Sequence, residues 1–284
     1  MELLSISARY FATHPLTRDA PLKAWLRFAS WQLRSRLGGE ILLQWVGGQR
    51  LAVRRGMRGA TGNIYAGLHE FSDMMVPLHL LREGDLFIDI GANVGTYTVL
   101  ASGVCRATTW AFEPDSNTAQ HLRRNLSVNQ LGDLVTVHEC ALGSTSRVVA
   151  FTVGRDTVNK VADVHDMNVR MVRQERLDNF IGAFQPIMMK LDVEGYEESV
   201  LRGALALLAN PCLKVIEMET VTPAIERMML GNQFERAYYD PFGRALHRNP
   251  ISLKSSNSLY VRDWPFVAKR LATAEKIDVL DRKI

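Results

Sequence analysis

Four residues spaced two apart hold the clearest chemistry in this sequence: Asp89, Gly91, Asn93 and Gly95. They follow an apolar run, 86–90, that reads as a strand, and they precede a segment, 96–104, that reads as a helix. Glycines at such a junction let the backbone bend sharply and let a ligand come close. The helix start beyond them, opened by Thr96, offers unpaired N–H groups. A second acid, Glu113, closes the next strand, 108–112, and Pro114 ends it. A carboxylate in that place can accept hydrogen bonds from both hydroxyls of a ribose. The two acids and the loop together point to a nucleoside. The spacing departs from the G-x-G-x-x-G of dinucleotide sites. Asp89 also suits an ammonium-bearing ligand better than a pyrophosphate.

The loop resembles the D-x-G-x-G-x-G element of class I methyltransferases, with Asn93 in the middle glycine position. More of the chain carries the likeness: GDLFIDIGANVGTYT at 84–98, AFEP at 111–114, ALG at 141–143, KLDVEGYE at 190–197 and VLRGA at 200–204. On these pieces the sequence resembles the FkbM family of methyltransferases over roughly residues 61–262. The resemblance implies S-adenosylmethionine as cofactor and a seven-stranded sheet whose last strand is antiparallel. It also implies O-methylation of a sugar, glycan, lipid-linked saccharide or polyketide-like hydroxyl. Tyr65, His69 and Glu70 resemble the tyrosine–acid element that the family places ahead of its core, so Glu70 is a candidate at the methionine end of the cofactor.

Methyl transfer requires an aligned acceptor, exclusion of water and removal of the acceptor proton. In an open α/β sheet the ligands lie beyond the carboxyl ends of the strands. Asp192 and Glu194 follow the strand 187–191 and meet that demand. Asp192 is the candidate base or orienting group beside both cofactor and acceptor, with Lys190 as its charge partner. Glu194 reads either as a substrate contact or as an acid capping the helix that begins near residue 197. Cys140 and Ala141, past the strand 134–139, are candidates for contact with the adenine. Glu217 and Glu219 end the next strand, 213–218, and face opposite ways if extended, so one of them can point into the cleft. His69, Glu70 and Asp73 lack a spacing that supports a metal site, and no metal is expected.

The elements around these residues alternate. Strands are expected at 86–90, 108–112, 134–139, 187–191, 213–218, 236–239 and 258–262, and helices at 96–104, 117–129 and 197–208. Unbroken apolar strands between helices imply a doubly wound, mostly parallel α/β sheet of the Rossmann-like kind. Residues 61–284 form the expected catalytic domain, with a helix at 68–81 after a glycine-rich loop. Residues 1–60 form an extension containing a helix at 21–37 and a hairpin at 41–53 turning at Gly47-Gly48-Gln49. That helix carries an apolar stripe of Leu22, Leu26, Ala29, Leu33 and Leu37. Two readings stand: the stripe packs on the domain, or it lies on an anionic membrane surface.

The chain has 284 residues, 47% of them hydrophobic, and a formal charge of +4. Residues 1–60 hold ten basic side chains against three acids, which leaves residues 61–284 with 24 basic and 27 acidic ones. A mildly acidic body is a poor match to an enzyme that grips nucleic acid. The catalytic loop of base N-methylating enzymes is absent at 191–195, and Pro211-Cys212 precedes a strand rather than following one. Three isolated cysteines suggest neither disulfides nor zinc, and a cytoplasmic location is expected. The polar insert 144–180, with Arg155, Asp156, Asn159, His165, Arg170 and Arg173, reads as a glycan-binding surface, a solvated crossover or a homodimer surface. A catalytically silent scaffold that keeps the fold is the alternative from another class. Intact Asp89, Glu113 and Asp192 speak against it.

Overall fold

The computed structural model describes residues 2–154, 159–162 and 166–284. Its centre is an eight-stranded sheet. The strand order is Ala245–His247, Glu235–Asp240, Ser258–Val261, Val215–Met218, Pro186–Leu191, Leu86–Ile90, Thr108–Phe112, Val135–His138. The five strands from Val215–Met218 to Val135–His138 run parallel, and Ser258–Val261 is inserted antiparallel beside them. The expected seven strands are present. The eighth, Ala245–His247, is a three-residue strand hairpinned onto Glu235–Asp240, too short to give a periodic signal in sequence.

Alternation along the central strands builds two cores. Phe87, Met188 and Val215 face one side with Tyr97, Leu100 and the helix Phe71–Leu80. Ile88, Ile90, Met189, Leu191, Ile216 and Met218 face the other with Val200 and Leu201. Burial on both faces explains why these strands are apolar throughout. The strand order reverses between Leu86–Ile90 and Pro186–Leu191, which creates a crevice at their carboxyl ends.

Several elements differ in detail from the expectation. Part of the glycine-rich stretch is a helix, Arg58–Ala66, and the next helix is Phe71–Leu80, running through Pro77. The segment 96–104 is one helical turn, Thr96–Val99, continued as a wider π turn, Leu100–Val104. The expected helix 197–208 is two short helices, Glu197–Arg202 and Leu205–Ala209, broken at Gly203-Ala204. Within the insert, Arg147–Thr152 and Val169–Glu175 pair antiparallel and join Ala141–Leu142 in a small separate sheet. Arg155, Asp156 and His165 of that insert lie outside the described residues.

The hairpin Ile41–Gln44/Arg50–Val53 forms as expected. Asn125 ties it to the core: its Oδ1 accepts from Ala52 N and its Nδ2 donates to Val94 O, both within 2.8 Å. The helix Pro21–Arg34 packs, but through the opposite face from the leucine stripe. Ala24, Phe28 and Trp31 are buried, with Phe28 against Phe11 and Tyr65. Large aromatic rings bury more area than leucines and win the inward face.

Candidate functional site

The crevice at the strand reversal collects most of the residues singled out by sequence. Gly91 and Asp192 follow the two central strands, and Asp192 N donates to Ile90 O at 3.0 Å. Gly91 has φ +78°, and a Cβ there would lie 1.9 Å from the Asp192 carbonyl oxygen. Gly95, at φ +88°, would place a Cβ 2.3 Å from Leu122 Cδ1. Both glycines are thus demanded by neighbouring protein as well as by the turn, a reason that spacing alone does not reveal. Asn93 also holds a left-handed φ of 50°. Its side-chain oxygen accepts from Val94 N at 2.7 Å, a local bond that helps this residue type tolerate the conformation.

Glu113 links the loop to the next strand. Its two oxygens accept from Asn93 N at 3.0 Å and from Asp115 N at 2.9 Å, and each retains a further lone pair. Burial pushes its carboxyl up to about 7, against the pull of those two N–H bonds. It lines a cleft walled by Phe112, Pro114, Cys140, Ala141, Leu142, Phe151 and Val193. Asn159, from the insert, also reaches this cleft. Arg170 instead pairs with Asp115 at 3.0 Å and Arg173 with Glu175 at 3.2 Å.

A second cavity adjoins the first, sharing Gly91, Asn93 and Asp192 in its wall. It adds His69, Glu70, Asp89, Thr96, Tyr97, Lys190, Glu194 and Glu219. Strand register places three ionisable groups in one row under it. Asp89 pairs with Lys190 on the neighbouring strand, and Lys190 pairs with Glu217 on the next. Lys190 is only 2% exposed, and its Nζ lies 2.7 Å from Asp192 Oδ2 and 4.3 Å from the Tyr97 ring centroid. Burial alone lowers the pKa of this ammonium, but Asp192, Glu70 and Asp89 more than reverse that, so the charge is kept. Asp89 accepts from Thr98 Oγ1 at 2.6 Å; burial raises its pKa and Lys190 opposes the rise. Asp89 is therefore shared between Thr98 and the Lys190 field.

Tyr97 is the tyrosine that meets the acid ahead of the core. Its hydroxyl donates to Glu70 Oε2 at 2.9 Å and lies 3.3 Å from Glu217 Oε1. Tyr65, which resembles the tyrosine of that element in sequence, packs among Phe11 and Phe28. Glu217 is the inward member of its pair; burial, with the nearby Asp73, pushes its carboxyl well above the usual carboxylate range. Asn257 Nδ2 donates to it at 3.1 Å. Asp73 accepts from Ser255, Ser256 N and Asn257 N, and so fixes the 255–257 loop over the cavity. Neither Asn257 nor Tyr97 stood out in sequence, because only register and loop packing bring them here.

At the cavity mouth, carboxylate oxygens of Asp192, Glu194 and Glu219 lie within 4.8 Å of one another. This is the outward member of the Glu217/Glu219 pair. Glu194 sits at φ 52°. The N-cap of the helix Glu197–Arg202 is Tyr196, which makes no side-chain cap, and Glu194 stands two residues before it. Burial pushes Glu194 up to about 7, with Glu219, Asp192 and Glu197 adding to the rise. The trio could hold a divalent cation, although acidic groups often cluster at surfaces without one. Cys212, in contrast, lies half-buried beside Gly84, Leu86 and Thr108, at the amino ends of the strands. It is at the wrong end of the sheet to act as a nucleophile.

Comparison with known proteins shows the family. The sequence profile of the methyltransferase FkbM domain matches residues 89–238, more than half of the chain. The chain belongs to the FkbM methyltransferase family. Among curated proteins, the hexuronic acid methyltransferase AglP of Haloferax volcanii is 27% identical over 140 residues, covering 48% of this chain and 57% of AglP. Methyltransferase 1 of Beauveria bassiana is 28% identical over 160 residues, covering 47% of this chain and 64% of that protein. The match thus spans less than two thirds of either relative. Among solved structures, a precorrin-6y C5,15-methyltransferase from Geobacter metallireducens aligns with a TM-score of 0.40 at 14% identity. It covers 74% of this chain and 91% of that one, a likeness too low to speak to substrate.

The cofactor of this FkbM-family chain is S-adenosylmethionine, and the residues present fit it. The first cleft has apolar walls for a base and, in Glu113, an acceptor pair for ribose hydroxyls. The adjoining cavity is rich in carboxylates, which suits a ligand bearing both a sulfonium and an ammonium charge.

Proposed function

We propose that this protein methylates a hydroxyl group of a saccharide, with a hexuronic acid or a related glycan as the acceptor class. The observation that carries the reading is the group Asp192, Glu194 and Glu219 at the cavity mouth, anchored by the buried Lys190. The name of the AglP relative supports a sugar acid as acceptor; the carboxylates at the mouth can accept hydrogen bonds from its hydroxyls but repel its own carboxylate, which must point away from them. When bound, S-adenosylmethionine supplies a methyl group made electrophilic by its sulfonium. The chain's own residues must then orient the acceptor oxygen and take its proton. Asp192, fixed by its 2.7 Å contact with Lys190, serves best as the orienting group. Glu194, pushed up to about 7, is matched to accept a proton near neutral pH.

Replacing Glu194 with Gln preserves shape and removes the proton acceptor. The expected result is a kcat lower by about 10²–10⁴-fold, with the acceptor KM little changed. In the wild type, activity rises as pH climbs through 7, because the ionised carboxylate is the active form; the variant loses that rise. Labelled-methyl transfer to hexuronic acid glycosides across about pH 5.5–9, a range on either side of the raised value of Glu194 and well above the ordinary carboxylate value, measures both. A Glu194→Gln enzyme with wild-type kcat and the same pH profile overturns Glu194 as the base. Labelled product on a non-saccharide acceptor alone overturns the substrate class.

A further inference from the structure

The helix Pro21–Arg34 leaves a face without any partner among the described residues. Leu22, Leu26, Leu33 and Leu37 are 70%, 64%, 66% and 82% exposed. With Ala29, also exposed, they form one row at three- and four-residue steps along the helix and its end. Soluble surfaces carry scattered leucines, but a continuous row of four is a patch that marks an interaction site. The helix does not need this face to fold onto the domain, since Ala24, Phe28 and Trp31 hold it there. No helix among the described residues is long and apolar enough to cross a membrane.

Charge identifies the partner. Lys23, Arg27 and Arg34 follow their own row beside the leucines, and Arg36 lies near the end; Lys23 is paired with Asp281 at 2.6 Å and Arg27 Nε is bonded to Tyr65 O, so Arg34 and Arg36 carry most of the charge offered to a surface. Residues 1–60 carry ten basic side chains and three acids, in a chain whose remainder is slightly acidic. Next to the leucine row, Leu26, Arg27, Trp31 and Arg34 border a groove of about 690 Å³ that continues over Leu43, Trp45, Leu51 and Leu280. An apolar row flanked by cations is what lies flat in the headgroup boundary of a bilayer: leucines enter the acyl region and the basic groups meet phosphates. A protein partner of matching shape has no such need for a basic border.

We propose that this helix docks the protein on a bilayer containing anionic phospholipid. The docking does not depend on the methyl-transfer reading. Arg27 Nε donates to Tyr65 O at 2.8 Å, and Tyr10 of the preceding helix is 2.7 Å from His69 Nδ1 in the cavity wall.

The test is co-sedimentation of the full chain with phosphatidylcholine vesicles, with and without phosphatidylglycerol, at about 0.15 M salt, where surface charges are screened beyond ~8 Å. The expected result is binding to the phosphatidylglycerol vesicles, weakened by added salt. Leu26→Ser with Leu33→Ser should lower the partition coefficient on the order of a hundredfold, about tenfold per leucine withdrawn from the bilayer. Both side chains are exposed, so the thermal midpoint of the variant should match the wild type. Three results overturn the proposal: no binding to anionic vesicles, equal binding to neutral ones, or binding that survives the double substitution. A dimer in solution that the double substitution splits, without vesicle binding, assigns the face to a second copy and likewise overturns it.

Discussion

Replacing Lys190 with Met is expected to lower the thermal midpoint by about 10 °C, the largest stability loss of any single substitution at the site. Breaking a buried ion pair from one side costs about 3–5 kcal/mol, a large part of the ~5–15 kcal/mol that stabilises a typical protein. For a chain of this size each kcal/mol moves the midpoint by about 2–4 °C. Here the loss falls on more than one partner. Asp192 loses its 2.7 Å contact, and Asp89 loses the cation that opposes its desolvation. Asp192 is one third exposed to the cavity, which places the cost toward the lower end of that range. Asp192→Asn is the companion: it keeps a hydrogen-bond acceptor for Lys190 and should cost less stability while still impairing methyl transfer. Thermal unfolding followed by circular dichroism reads both. An unchanged midpoint for Lys190→Met shows that water already solvates this row and removes its assigned role.

The second large effect falls on cofactor affinity. Glu113→Ala removes the acceptors assigned to the ribose and leaves Asn93 N and Asp115 N without their partner. Two hydrogen bonds to a charged group, at about 1.5–3 kcal/mol each, correspond to a loss of about 10²–10⁴-fold in affinity for S-adenosylmethionine. The wild type should also show a pH dependence of definite sign. The ionised form of Glu113 is the better acceptor, and its pKa in the unliganded protein is pushed up to about 7. Affinity is then full above that value and falls as pH drops through it, by about tenfold at one unit below. Glu113→Gln, which cannot ionise, should bind weakly and without that slope. Equilibrium titrations at several pH values decide the matter: an Ala variant that binds like the wild type means that Glu113 only braces the Asn93 loop.

What could be read in sequence was local. The glycine loop, Glu113 and the Lys190–Asp192–Glu194 run are each signalled within a few residues, and the fold brings all of them to one crevice. The parallel core followed from apolar runs that alternate with helices. Register was not readable. The row Asp89, Lys190, Glu217 joins residues 101 and 27 positions apart, and nothing in the spacing says that they share a face. The contact of Tyr97 with Glu70 was unreadable for the same reason. The amphipathic helix shows another limit. Periodicity finds an apolar stripe, but Pro21–Arg34 has two nonpolar faces, and which one turns inward depended on the aromatic side chains waiting in Phe11 and Tyr65. The break at Gly203-Ala204 and the short strand Ala245–His247 depend on tertiary neighbours and leave no periodic trace.

Calorimetric titration of the purified protein with S-adenosylmethionine, run beside NADH, tests the central claim most directly. The account predicts saturable binding of S-adenosylmethionine and none of NADH, because the loop from Asp89 to Gly95 lacks the dinucleotide spacing and the adjoining cavity is lined with carboxylates. A folded protein that takes up NADH, or that gives no heat with S-adenosylmethionine, contradicts it.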